Sequence, residues 1–187
     1  MKRSTVKTLV QNLVLGALFL ALALVLPFLT GQIPEIGSML CPMHLPVLLA
    51  GFICGAPIAA AVGFIAPLLR FLMFSMPPIY PAGISMAFEM LTYGLISGLL
   101  YHRVFKKKNL ASIYASLLIA MLSGRIVWGI VRLVLAGIGG NAGTFTFAAF
   151  ISGAVTTAIP GIIVQLILVP IIITALQKAK LIAAEST

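Results

Sequence analysis

The sequence predicts an all-α integral membrane protein with six transmembrane helices and both termini in the cytoplasm, and three observations carry that prediction. Hydrophobic residues make up 61% of the 187 residues and charged residues 8%, with a mean hydropathy of +1.20, far outside the range of soluble globular domains. The apolar residues fall in long runs broken by proline, glycine and polar stretches, and at about 20 residues per span the length accommodates roughly six. The basic residues gather at three places that all fall on one side of the membrane when the chain crosses six times.

The runs lie near 8 to 28, 43 to 55, 57 to 74, 82 to 104, 110 to 137 and 147 to 177, forming a single membrane domain over 1 to 187. The first follows Lys2, Arg3 and Lys7. That order resembles the start of a cleaved signal peptide, but the run is longer than a signal core and its removal would break the charge alternation, so it is read as a retained span. The second run is short. Its tight exit through Cys54, Gly55, Ala56 and Pro57 leads directly into the third. The fourth begins after the proline-rich stretch SMPPIYPAG and ends at His102 and Arg103. The fifth runs from 110 to 137, and the sixth from 147 to 177, just ahead of Lys178.

A formal charge of +9 raises the possibility of nucleic acid, but the placement of the charges speaks for topology instead. Lys2, Arg3 and Lys7 open the chain, Arg103, Lys106, Lys107 and Lys108 follow the fourth run, and Lys178 and Lys180 follow the sixth. Six crossings put all three groups in the cytoplasm, whereas five or seven would put one outside. The loops after spans one, three and five are then external and contain no Lys or Arg. No nucleic-acid partner is expected.

Enzymatic chemistry finds few footholds. The sequence has no phosphate-binding loop, no HExxH and no CxxC, and its three carboxylates, Glu35, Glu89 and Glu185, are scattered. Neither a catalytic residue nor a metal or organic cofactor is expected. Cys41 and Cys54 bracket the second span, about 20 Å apart by helical rise, so no disulfide joins them. His44 is a candidate ligand or base, although a lone histidine there is more commonly a polar residue at the headgroup interface.

The charges inside the spans carry the functional signal. In LSGRIVWGIVRLVLAG, from Leu122 to Gly137, Arg125 and Arg132 stand seven residues apart with Trp128 between them, so all three share one helix face in the outer half of span five. Arg70, near the outer end of span three, and Glu89, about two turns into span four, reach similar depth. Four ionisable groups at one level, open to the outside, predict a shared polar cavity. Their excess of two positive charges predicts an anion, and Arg suits a carboxylate because its planar fork donates two parallel hydrogen bonds. The alternative is structural: Arg70 snorkelling to headgroups and Glu89 neutralising one arginine of span five.

Small residues mark close helix approaches. Ala17 and Ala21, beside Gly16, form one such pair on span one, and Gly94 and Gly98 form another on span four. With these features in place, the whole chain resembles the substrate-binding S components of energy-coupling factor (ECF) vitamin transporters. The resemblance lies in its size, six spans, inside termini, the Ala-x-x-x-Ala pattern and the stretch LPVLLAGFICGAPIAAAVGFIAPLLRFLMFSMPPIYPAGISMAFEMLTYGLISGLLY.

That resemblance implies a multi-pass protein of the bacterial plasma membrane that captures a vitamin outside and docks against a membrane coupling protein driven by two cytoplasmic ATPases. It implies that the chain itself hydrolyses nothing. It assigns Ala17 and Ala21 to the coupling surface and external loops one, three and five to enclosing the substrate. Loop one holds Gly31, Pro34, Gly37 and Pro42, and loop five holds Gly139, Gly140, Asn141 and Gly143. The former composition suits a lid, and Asn141 offers an amide to a ligand. Either stretch is equally consistent with an ordinary loop.

The substrate-binding set expected from the residues and the resemblance together is Arg125, Arg132, Trp128, Arg70, Glu89, Asn141 and His44. A cationic vitamin such as thiamine would need acidic groups, whereas this set is net positive. Pantothenate, a small hydroxylated carboxylate, fits, and the chain looks most like the pantothenate branch. Hydroxymethylpyrimidine and other small precursors follow, with folate behind them because the chain's one Trp and four Tyr are few for a large pterin. Two other classes stand beside this: a structural membrane protein with internal ion pairs, and a stand-alone secondary transporter.

Overall fold

The structure, a computed structural model, describes residues 2–30, 39–105, 108–139, 146, 150, 152 and 158–182, with backbone alone for 2–8 and 30. Every regular element among these is helical. Helix α1 (Lys2–Val25) tightens into a 3-10 turn at Leu26–Thr30; α2 is His44–Cys54, α3 Ala56–Phe74, α4 Ile84–Leu99, α5 Leu110–Ile138 and α6 Ile159–Lys178. Wider turns precede α4 at Ile79–Gly83 and extend it at Leu100–Val104. Among the described residues, five helical stretches are long and apolar enough to cross a membrane; α2 is shorter. The expected sixth span, 147 to 177, is described as a continuous helix only from Ile159.

The shortness of α2 has a physical explanation. Eleven residues rise about 16 Å, roughly half of a hydrocarbon core. A span that short is tolerable only where protein, not lipid, surrounds its ends. Nine of its residues, from His44 to Cys54, are buried. It is therefore a central strut, contacted by α1, α3, α4 and α6. At its inner end the chain reverses through Gly55 at φ +84°, a left-handed conformation that a side chain would strain.

Close approach through glycine then ties the middle of the bundle together. A Cβ at Gly63 would lie 2.3 Å from the Met90 carbonyl oxygen, and one at Gly94 would lie 2.4 Å from that of Ala59, so α3 and α4 meet backbone to backbone. Gly98 meets Ala56 in the same way, which places the Gly94 and Gly98 pair inside the bundle as the sequence predicts. The core between these helices holds Val47, Leu48, Phe52, Ala59, Val62, Met90, Tyr93, Ile113, Leu117, Val169 and Ile173.

Helix α1 packs from one side only. Gly16, Phe19 and Ala23 face inward, Gly16 against Ile58 of α3. Val10, Val14, Ala17, Leu18, Ala21 and Val25 are exposed, leaving an apolar outer face. At the cytoplasmic end, Gln177 of α6 donates to Tyr101 Oη at 2.8 Å and to the Lys108 carbonyl at 2.9 Å. His102 meets the Phe52 carbonyl at 2.9 Å. This polar ring joins the inner ends of α2, α4 and α6, far from the outer half where the arginines lie.

Candidate functional site

The site grows from Glu89, placed by α4 where its carboxylate is only 2% exposed. An isolated carboxylate cannot remain ionised in such surroundings without partners. Three side chains meet its Oε1. Tyr93, one turn further along α4, donates its hydroxyl at 2.9 Å; Arg125 of α5 brings Nη1 to 3.0 Å; and His44, at the start of α2, brings Nε2 to 3.5 Å. The His44 ring also stands edge-on to Tyr93, 5.3 Å between centroids. Cys41, just ahead of α2, receives Arg125 Nη2 at 3.8 Å.

Local sequence explains why these groups converge. Glu89 and Tyr93 are four apart and share a helix face. Gly124 precedes Arg125, and a Cβ there would fall 2.1 Å from the Tyr93 ring; glycine at 124 lets the ring lie flat between α4 and α5. The chain before α2 is fixed by α6, where a Cβ on Gly161 would touch the Leu40 and Met39 carbonyls at 2.7 Å. Cys41 follows with φ +47°, turning the backbone so that His44 enters the bundle.

Of the two roles open to His44, the structure puts it among the buried polar groups. A place at the headgroup interface is the commoner role of a lone histidine at such a position, but here the ring is 2% exposed beside Glu89. The physical reason is the short α2, whose outer end starts inside the bundle rather than at its surface. Tyr93 and Cys41 are site residues that the sequence reading missed. The four-residue spacing of Glu89 and Tyr93 was the available signal for the first. Gln165 is also buried, 2% exposed, one turn beyond Gly161 on the same face of α6.

Trp128 and Arg132 form a second group, about one and two turns outward on the same helix. The Arg132 guanidinium lies over the Trp128 ring at 5.5 Å, a cation–π contact, and Trp128 faces Phe150 at 6.2 Å. The Tyr80 hydroxyl donates to the Leu135 carbonyl above them, tying the turn before α4 to the outer end of α5.

Arg70 does not join these groups. It is 4% exposed, and its Nη1 donates to the Leu24 carbonyl of α1 at 2.7 Å. Phe28 and Phe74 flank the guanidinium at 5.3 and 5.4 Å. The Leu24 carbonyl is available for a reason written in the chain. Where the helix tightens after Val25, its natural donor becomes the N–H three residues on, and residue 27 is a proline without one. Arg70 satisfies that orphan carbonyl, and two aromatic faces shield it. The expected cavity shared by four ionisable groups is thus divided: Glu89 and Arg125 are paired, with His44 beside them; Arg132 sits further out; Arg70 braces α1.

Asn141 lies outside the described residues, as do Gly31, Pro34, Gly37, Gly140 and Gly143. Cys41 and Cys54 are not joined by a disulfide. Among the described residues, no group of three or more His, Cys, Asp or Glu is placed to hold a metal ion.

A helical bundle with five stretches long and apolar enough to cross a membrane, and a buried polar cluster around Glu89, defines a polytopic membrane protein. Residues 11–173 match the family described as ECF transporter, substrate-specific component, and the chain belongs to that family. It is accordingly a multi-pass plasma-membrane protein and the substrate-specific part of a transporter whose other parts are a membrane coupling protein and ATPase modules. No curated protein matches the chain. No solved structure matches it.

Proposed function

We propose that this chain captures pantothenate from outside the cell and delivers it to an ATP-driven coupling module without hydrolysing anything itself. The observation that carries this reading is the two-part polar wall of α5. Arg132 on Trp128 supplies positive charge toward the outside, and Arg125, held by Glu89 at 3.0 Å, supplies directed donors one and a half to two turns deeper. An elongated hydroxylated carboxylate matches such a wall, because its charge and its neutral polar groups lie at opposite ends. Ala17 and Ala21, both exposed on α1, are the proposed contact with the coupling protein, where small side chains permit close approach. Two cytoplasmic ATPases complete the proposed assembly.

A second reading has its own observation. Glu89 balances the charge of Arg125, and Arg70 is turned away toward Leu24, so the excess of positive charge is smaller than the sequence predicts. A neutral heterocycle such as hydroxymethylpyrimidine suits that balance. Calorimetric titration of the purified protein with a vitamin panel separates the readings. Submicromolar to micromolar binding of pantothenate supports the first, selective binding of hydroxymethylpyrimidine supports the second, and no response to any vitamin overturns both.

A further inference from the structure

Among the described residues, four buried side-chain polar atoms lack a hydrogen-bond partner, and three belong to the Glu89 cluster: His44 Nδ1, His44 Nε2 and Arg125 Nε. The fourth, Ser116 Oγ, lies about two and a half turns deeper on α5. Native proteins bury few unpaired polar atoms, because each forgoes the water it had. A concentration of them at one place marks a site whose partners arrive with a guest.

The chemistry of these atoms specifies that guest. Nε2 of His44 faces Glu89 Oε1 at 3.5 Å, and an ionised carboxylate only accepts, so the imidazole proton belongs on Nε2. In the neutral ring Nδ1 is then an acceptor. Arg125 Nε is a donor and nothing else, and its charge is already matched by Glu89. The guest must therefore donate to His44 and accept from Arg125 without bringing charge of its own.

We infer that the inner end of the substrate is a neutral group carrying both a donor and an acceptor, such as a hydroxyl, an amide or an amino-heterocycle, and that His44 is the residue that selects it. A carboxylate only accepts and would leave Nδ1 unpaired. Applied to pantothenate, which rests on the reading above, the hydroxyl and amide end goes down to His44 and Arg125. The carboxylate then stays outward at Arg132, seven residues and about 10 Å of helical rise away.

The test titrates pantothenate and panthenol, which has an alcohol in place of the carboxylate, into the wild type and the His44→Phe, His44→Asn and Arg132→Ala variants, with the unfolding midpoint of each ligand-free protein. His44→Phe removes the unpaired Nδ1 together with the 3.5 Å contact of Nε2 to Glu89, while Tyr93 and Arg125 still hold the carboxylate, and affinity for both ligands falls at least 30-fold by a common factor. His44→Asn, which returns an acceptor near the Nδ1 position, recovers part of that loss. Arg132→Ala weakens pantothenate and leaves panthenol within threefold.

Affinity within threefold in His44→Phe overturns the inference. So does a His44→Phe loss confined to pantothenate. If the wild type binds no pantothenate, the reading above falls, and hydroxymethylpyrimidine decides the inference: its binding must fall in His44→Phe, and its failure to bind the wild type overturns the inference as well.

Discussion

Two arginines sink into the outer half of the same bundle and meet opposite fates. Arg125 finds a carboxylate, a tyrosine beside it and a histidine with unpaired nitrogens. Arg70 finds a backbone carbonyl and two phenyl rings. Among the described residues, the contacts of Arg70 are structural: it braces the end of α1 at the Leu24 carbonyl, between two phenyl rings. The Arg125 guanidinium is held firmly and still has a donor to offer. Burial of a charge in a membrane protein thus does not by itself mark a functional site; the groups that surround it decide.

The comparison breaks most sharply at the ion pair. Arg125→Ala leaves Glu89 charged and buried, which should cost about 3–5 kcal/mol of stability and abolish ligand binding. Thermal unfolding in detergent reads the first effect and calorimetry the second. The double variant Arg125→Met with Glu89→Gln removes both charges and should recover most of that stability while binding stays lost. A double variant as unstable as the single one would show that the pair does more for the fold than its charges explain.

Arg70→Ala comes next. Loss of a charge-assisted bond to Leu24 should cost about 1.5–3 kcal/mol, with ligand affinity within threefold of wild type. A large affinity loss at unchanged stability would move Arg70 into the site. Gly124→Ala sharpens the comparison from the other side: its Cβ would press on the Tyr93 ring at 2.1 Å. Overpacking of this kind costs about 1–3 kcal/mol. Because Tyr93 supports Glu89, affinity should fall as well, which is the outcome to look for.

The smallest effect on folding is expected at α1. Ala17→Leu and Ala21→Leu alter exposed positions, so stability should stay within about 0.5 kcal/mol and ligand affinity should not change. Uptake by cells that contain the complete transporter should nevertheless fall, because the close approach is blocked. Uptake unchanged in the double variant would remove this face from the coupling surface.

The sequence made depth legible and left direction hidden. Apolar runs and helical rise placed Glu89 and Arg125 at one level before any coordinates, since rise per residue is nearly constant. The same reasoning placed Arg70 there and was misleading, because the side of the helix that faces the site depends on packing and tilt. A clue to its true partner was nonetheless present: Pro27 stands three residues after Leu24 and withdraws a donor. His44 belongs to the expected binding set, and it stands beside Glu89 because the run from 43 to 55 is short enough to start inside the protein. Cys41 had no signal in the sequence at all, since its approach to Arg125 depends on how the segment before α2 rests on Gly161.

The claim that Arg125 and its neighbours bind the substrate while Arg70 holds the fold rests on one paired measurement. Calorimetric titration of the vitamin panel into the wild type, into Arg70→Ala and into the Arg125→Met and Glu89→Gln double variant should give one bound vitamin. Its affinity should be kept within threefold by Arg70→Ala and lost by at least 100-fold in the double variant. Retention by the double variant with loss in Arg70→Ala, or no heat from any vitamin with the wild type, would contradict it.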